Sequence, residues 1–194
     1  MSHMILVLGA TGSCGRLFVE HALHDGFTVR CLVRDPARVK ANATYPWANH
    51  QRVHLLQGNL SDTETVANAC AGVTAAVAMV GPPPRSPVAP AGQSDLLIAI
   101  QNIVAGLRKH SVKRLIVQMG AFVKLDSELS LGQIAMRKVF TLTTGEAGAL
   151  AGNDEAAHFL LTECGDIDWT IARPGILSDG PPAGTCPAFP IETN

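Results

Sequence analysis

A short apolar run, Met4-Ile5-Leu6-Val7-Leu8, leads straight into Gly9-Ala10-Thr11-Gly12-Ser13-Cys14-Gly15, and a helical pattern over residues 16–25 follows at once. Nothing else in the chain limits its fold so tightly. Strand, glycine turn and helix N-terminus in that order bring backbone N–H groups and the positive end of a helix dipole to one point, which is an anion site. Each glycine has a mechanical task there. Gly9 permits the tight turn off the strand, Gly12 lets backbone approach a pyrophosphate, and Gly15 lets the helix pack closely on the strand. Thr11, Ser13 and Cys14 complete the loop. The spacing is G-x-x-G-x-x-G, not G-x-G-x-x-G, so its weight comes from the strand before and the helix after. The bland alternative is a helix-opening turn that binds nothing.

At 194 residues the chain is long enough for one domain, 1–194, with a substantial core. Hydrophobic residues at 47% against 16% charged exclude a disordered chain. A net charge of −1 gives no electrostatic case for nucleic acid or an anionic membrane. No apolar run approaches the roughly 18 residues of a membrane span, and no basic-then-apolar leader pattern is present. Residues 1–3 read as a cloning remnant ahead of a natural start at Met4. The cysteines, Cys14, Cys31, Cys70, Cys164 and Cys186, are scattered, odd in number and free of any C-x-x-C pair. That pattern predicts free thiols in a reducing cytoplasm and no metal site.

Apolar, β-rich runs at 27–33, 52–57, 73–80, 114–118 and 169–172 continue the series begun at Met4. Helical candidates lie between them at 36–41, 62–71, 94–110, 131–141 and 153–164. Ser61-Asp62-Thr63-Glu64 has the form of a capping box with Ser61 as cap. Alternation of this kind predicts right-handed crossovers and a doubly wound (Rossmann) α/β domain, one parallel sheet with helices on both faces. Strands apolar nearly throughout fit a sheet covered on both sides. Two segments break the rhythm. Residues 81–90, with five prolines, sit just past the fourth strand at the carboxyl edge, as a lid or substrate wall or as a stiff connection. Residues 178–194 show no periodicity and read as an irregular tail.

Taken in order, GATGSCG, LVRDPARV, QGNLSD, AMVG, HSVKRLIVQMGAF and DWTIARPGILSDGP span nearly the whole chain. The set resembles the atypical short-chain dehydrogenase/reductase superfamily, in particular the NmrA-like NAD(P)-binding proteins and biliverdin-IXβ (flavin) reductases. Such relatives continue with another strand and helix where this sequence has ten residues after Gly184, which bears on the C-terminal wall of a substrate pocket.

The residue after the second strand discriminates between NAD(H) and NADP(H), since an acid there would accept from a ribose 2′-hydroxyl and repel a 2′-phosphate. This chain has Arg34, with Arg38 one helical turn on, a fork suited to a phosphate dianion. By the resemblance both touch the 2′-phosphate, and NADP(H) is expected over NAD(H). The alternative is that Asp35 simply pairs with an arginine on a solvated surface. Asn59 stands where relatives place an aspartate beside the adenine, with Leu60 next to it, and its amide can still accept from the adenine amino group. The resemblance puts Val80 and Gly81 along the nicotinamide ribose and Gly120 and Pro174 beside the nicotinamide, with Met119 among the cofactor-binding residues. Cys14 at a helix start has the setting of a reactive thiol, or is a small filler under a pyrophosphate.

The acid/base machinery of ordinary short-chain dehydrogenases has no counterpart here. The only tyrosine, Tyr45, lies in the loop after the second strand, far from the fifth in sequence. Met119-Gly120 replace the usual serine or threonine, and Asp154 stands where many relatives have lysine. Catalytic candidates reduce to Gln118, which could hydrogen-bond an acceptor carbonyl, and His158, one turn after Asp154 as an acid/base pair or a surface contact. His21 and His24 read as a solvated face, and Arg173 as structural. Three readings follow. One is an NADPH-dependent reductase delivering hydride to a planar flavin, quinone or tetrapyrrole, which draws its proton from water. Another is an NADP(H)-binding sensor without turnover. The last is an isomerase or specialised reductase of a biosynthetic pathway. In each the partner is a small molecule, and the protein a monomer or homodimer.

Overall fold

The computed structural model describes residues 3–81, 94–124, 131–144, 147–175 and 177. The proline-rich stretch beyond Gly81, the tail at 178–194, Cys186 and the first two residues lie outside them. Strands β1 (Met4–Leu8), β2 (Thr28–Val33), β3 (Val53–Gln57), β4 (Ala75–Ala78), β5 (Arg114–Gln118) and β6 (Asp168–Ala172) form one sheet in the order β3-β2-β1-β4-β5-β6. Every pairing is parallel. This is the Rossmann order, with its topological switch point between β1 and β4.

The helices are α1 (Ser13–His24), α2 (Pro36–Ala41), α3 (Thr63–Ala69), α4 (Asp95–Lys109), α5 (Leu131–Thr144) and α6 (Ala147–Glu163). Alternate side chains of each strand divide the core in two. Leu6, Leu8, Ala76, Ala78, Leu115 and Val117 pack under α3, α4 and α6. Ile5, Val7, Val29, Cys31, Val33 and Val77 pack under α1, α2 and a 3₁₀ turn at Pro46–Asn49. That turn has no periodic signature; it is held by buried Trp47 and Ala48.

Several boundaries depart from the sequence expectation for identifiable reasons. Helix α1 starts at Ser13 because Gly12, in extended conformation, already serves as its cap. Asp62, not Ser61, caps α3: its carboxylate accepts from the N–H groups of Glu64 and Thr65 and from the Thr65 hydroxyl. These bonds, the Thr65 hydroxyl first, hold the Asp62 carboxyl below its ordinary value of 3.8. Helix α6 begins six residues before the expected 153. Full coverage of both sheet faces fails at the edges. β3 and β6 have exposed and half-buried residues but no fully buried one, and Asp168, Thr170 and Ala172 of β6 are exposed on the side of α1.

Helix C-termini gather at the amino edge of the sheet, where cations satisfy their carbonyls. Arg52 donates to Leu23 and Phe27, Arg30 to Ala69 and Ala71, and Arg108 to Glu163 while pairing with Asp166. The carboxyl edge is left for ligands. Burial pushes the Cys31 thiol up to about 12 and those of Cys70 and Cys164 to about 11, so all three are inert packing groups.

Candidate functional site

The turn from β1 into α1 is built around backbone contact. Gly9 has φ +83°, and a Cβ there would lie 2.2 Å from the Met79 carbonyl oxygen. A Cβ on Gly15 would lie 2.0 Å from the Gly9 carbonyl oxygen, so α1 rests directly on the turn. The Gly12 N–H donates to Gly9 O at 2.9 Å and closes the loop. Side chains cap α2 (Asp35), α3 (Asp62) and α4 (Ser94), whereas Gly12 offers α1 no such cap. The first-turn N–H groups of Ser13, Cys14 and Gly15 therefore face the carboxyl edge without a side-chain acceptor. Those are the groups a pyrophosphate would take.

Arg34 follows β2 directly and Arg38 lies in α2; both are exposed, and neither guanidinium has a partner among the described residues. Asp35 does not pair with them through its side chain. Its carboxylate accepts the Arg38 backbone N–H at 2.9 Å as the α2 cap. Thus the arrangement in which Asp35 neutralises an arginine does not form, and the two cations stand open beside the phosphate loop's strand.

Beyond β3, Asn59 is exposed and its side-chain oxygen accepts the Ser61 N–H at 3.3 Å. This is its turn role, with one lone pair of that oxygen left for an adenine amino group. Leu60 is half-buried, and its carbonyl accepts from Asn102 Nδ2 at 2.8 Å. Asn102, on α4, also accepts from the Thr63 hydroxyl, so it pins the segment after β3. Forty-two residues separate Asn102 from Leu60, and no local pattern marks the contact.

On the nicotinamide side of the expected site, Val80 is half-buried and Gly81 exposed at the end of β4. A Cβ on Gly81 or Gly120 would meet nothing within 4 Å, so both glycines border open space. The Met119 side chain is buried in the core and its N–H bonds Ala172 O, so backbone is what it turns toward the expected site. Gly120 N–H donates to Asn153 Oδ1 at 3.0 Å and Lys124 N–H to Asp154 Oδ1 at 2.6 Å. Arg137 of α5 pairs with Asp154 at 2.5 Å and also bonds the Phe122 carbonyl. Arg173 reaches the Val123 carbonyl, the structural part expected of it. Residues 119–124 are thereby tied to α5 and α6, through Asn153 and Arg137, which sequence reasoning passed over, and through Asp154, whose part it placed elsewhere.

Gln118 and Pro174 meet Cys14 at a cavity of about 250 Å³, lined also by Phe18, Val77, Met79 and Ile116. Gln118 Nε2 donates to Cys14 Sγ at 3.3 Å across 104 residues of sequence. The structure does not bring His158 to this place. It is exposed on α6, and Asp154, its expected partner, is held by Arg137. Residue spacing put the two on one helix face but could not show that α5 claims the carboxylate. Among the described residues, no trio of His, Cys, Asp or Glu is arranged to hold a metal ion. No helix there is long and apolar enough to cross a membrane.

The open first turn, the glycine contacts and the unpaired arginines fit a dinucleotide, and a family profile described as NAD(P)H-binding matches residues 9–190. The chain belongs to the NAD(P)H-binding family. Among solved structures it is similar to ChuY, an anaerobillin reductase from Escherichia coli O157:H7, with a TM-score of 0.68 and 21% identity over 93% of this chain and 77% of that one. It is similar also to a short-chain dehydrogenase/reductase from Veillonella parvula in complex with NADP, with a TM-score of 0.64 and 20% identity over 89% and 69%. Likenesses at such identity establish the Rossmann fold. Among curated proteins, the photosystem II assembly factor Ycf39 of Trieres chinensis is 40% identical over 73 residues, 38% of this chain. That match takes in 21% of the relative's own length.

Proposed function

We propose that this NAD(P)H-binding chain is a single-domain, NADPH-dependent reductase that passes hydride to a small planar acceptor of the flavin, quinone or tetrapyrrole type. The observation that carries the reading is the cavity beside Cys14, Gln118 and Pro174, where the described lining residues include no charged group. Bound NADPH would supply the hydride, and water the proton. The protein's own part is binding and orientation. Backbone at Ser13, Cys14 and Gly15 holds a diphosphate, Arg34 and Arg38 hold a 2′-phosphate, and the apolar wall excludes water around a flat ring. Gln118 Nε2 is the polar side-chain donor at the cavity, suited to an acceptor carbonyl. Holding two reactants in near-attack geometry accounts for most of the acceleration such a reaction needs. The scattered thiols support a reducing compartment, the cytoplasm.

Stopped-flow measurement of NADPH absorbance against flavin, quinone and tetrapyrrole acceptors tests the reaction. Acceptor-dependent oxidation is expected, and tight binding without oxidation by any of them sinks it. Cofactor choice has its own test. Arg34→Ala with Arg38→Ala should weaken NADPH by about 100-fold, as two charge-assisted bonds of roughly 1.5 kcal/mol each are removed. NADH should change by less than about twofold; equal losses for the two nucleotides refute the preference.

One observation favours a second reading, a nucleotide-binding protein that reports redox state without turnover. Asp154, at the position where the resemblance leads one to look for a relay lysine, is bound by Arg137 and the Lys124 backbone N–H. A carboxylate so held relays no proton. The same stopped-flow experiment decides between the two.

A further inference from the structure

We infer that Tyr45 is a positioning residue of the phosphate loop, its phenol hydroxyl fixing the Thr11 carbonyl and through it the aim of the α1 N–H groups at a diphosphate. The inference rests on the nucleotide-binding reading above and adds to it a side chain from outside the glycine loop. Tyr45 Oη donates to the Thr11 carbonyl at 3.1 Å, across 34 residues of sequence.

Tyr45 is itself held at three points, its ring and both ends of its backbone. Its ring centroid lies 5.5 Å from that of Trp47 at a tilt of 53°, and Trp47 is buried. The Tyr45 N–H donates to Asn42 O at 3.0 Å, and its carbonyl accepts the Ala48 N–H at 2.9 Å. The hydroxyl therefore arrives at Thr11 from a rigid support.

What it holds is one end of a peptide plane. The Thr11–Gly12 unit has its carbonyl on Tyr45 and its N–H on Gly9 O at 2.9 Å. A peptide unit is planar, so fixing both ends prevents it from rotating. Rotation would turn the negative end of the carbonyl dipole into the mouth of the loop, against an incoming anion. The N–H groups of Ser13, Cys14 and Gly15 come directly after this plane and inherit its orientation. A phenylalanine would fill the same space against Trp47, so packing does not call for the hydroxyl.

Tyr45→Phe removes the bond and keeps the ring. The probes are NADPH, NADH and adenosine 2′-monophosphate, titrated calorimetrically; the last carries adenine and a 2′-phosphate but no diphosphate. Loss of one neutral hydrogen bond should weaken both dinucleotides alike, by roughly three- to tenfold. Adenosine 2′-monophosphate should bind the variant as it binds the parent, and the ligand-free melting temperature should move by less than about 2 °C. Unchanged dinucleotide affinity overturns the proposal. So does a proportionate loss of adenosine 2′-monophosphate, or a large fall in melting temperature, since each marks a general structural role. Failure of the underlying reading is separately visible, because the parent protein would then bind neither dinucleotide.

Discussion

Replacing Gly15 by alanine tests the physical account of the loop where it is most exacting. The new Cβ would sit 2.0 Å from Gly9 O, 2.8 Å from Gly9 C and 2.9 Å from Ala10 Cα. An ordinary contact begins near 3.4 Å, so α1 would have to retreat by about 1.4 Å. All three obstructing atoms are backbone, and Ala10 is fully buried, so no side chain can swing aside. Overpacking of this kind costs about 1–3 kcal/mol, against which alanine returns up to about 1 kcal/mol of helix propensity. For a chain of this size the net loss corresponds to a melting temperature lower by up to about 8 °C. Binding should suffer more than stability. A retreat of that size breaks the 2.9 Å bond between Gly12 N–H and Gly9 O and moves every first-turn N–H group off its line. NADPH affinity should fall at least about tenfold, the equivalent of 1.4 kcal/mol. Differential scanning calorimetry and fluorescence titration of NADPH measure the two effects. Gly120→Ala is the control for stability, because its Cβ meets nothing within 4 Å. A Gly15→Ala protein that melts and binds NADPH like the parent would refute the reasoning outright.

Other consequences are equally direct. Asp154→Asn leaves Arg137 without its carboxylate in a site where the two side chains are 19% and 26% exposed. Stability should drop by about 1–3 kcal/mol, discounted for that exposure, and kcat should fall more than KM for NADPH as residues 119–124 loosen; a rise in KM alone contradicts the assignment. Among the described cysteines, Cys14 should be the one alkylated at pH 8, the others being buried with thiols raised to about 11 or 12. Saturating NADPH should protect it in peptide mapping, and labelling indifferent to nucleotide argues against a diphosphate over the first turn. Asp62 and Asp166 are both held below the ordinary 3.8 in the folded protein, by the Thr65 and Arg108 hydrogen bonds respectively. Their stabilisation is complete above that value and is lost as pH falls through the lower folded values. Urea melts below pH 4 should therefore show a shallower acid loss in Asp62→Asn and Asp166→Asn, and an unchanged slope excludes the linkage.

Local signals were enough to place most of the sheet and the glycine turn that opens it. β1 and β5 run between the residues expected: β1 is the apolar run that a strand covered on both faces requires, and β5 buries Leu115 and Val117 between half-buried neighbours. The glycine loop is partly legible for a similar reason: Gly12 and Gly15 meet backbone of Gly9 and Ala10 only a few residues away, so their spacing carries that geometry, whereas Gly9 itself is packed against the distant Met79 carbonyl. Arg34 and Arg38 are readable because Arg34 follows β2 directly and Arg38 comes four residues later, in the first turn of α2. Helix ends were less well placed, as with Ser61 and Asp62, where two neighbouring side chains both suit a cap and only backbone direction chooses between them.

The partners that hold the site in shape belong to the tertiary structure. Tyr45 reaches Thr11 across 34 residues, Asn153 reaches Gly120 across 33, Asn102 reaches Leu60 across 42 and Gln118 reaches Cys14 across 104. None of these pairs has a period or a spacing, because each exists only once separate crossovers have delivered two chain segments to one edge of the sheet. The expected Asp154–His158 pair failed for the same cause. Helical spacing sets which residues share a face, whereas the packing of α5 set which of them Asp154 met. The chain's sequence thus determined the strand–loop–helix that receives a phosphate, a matter of a few adjacent dihedrals. Folding in three dimensions decided what steadies that loop and what lines the cavity beside it, since those contacts depend on distances through space that no stretch of sequence encodes.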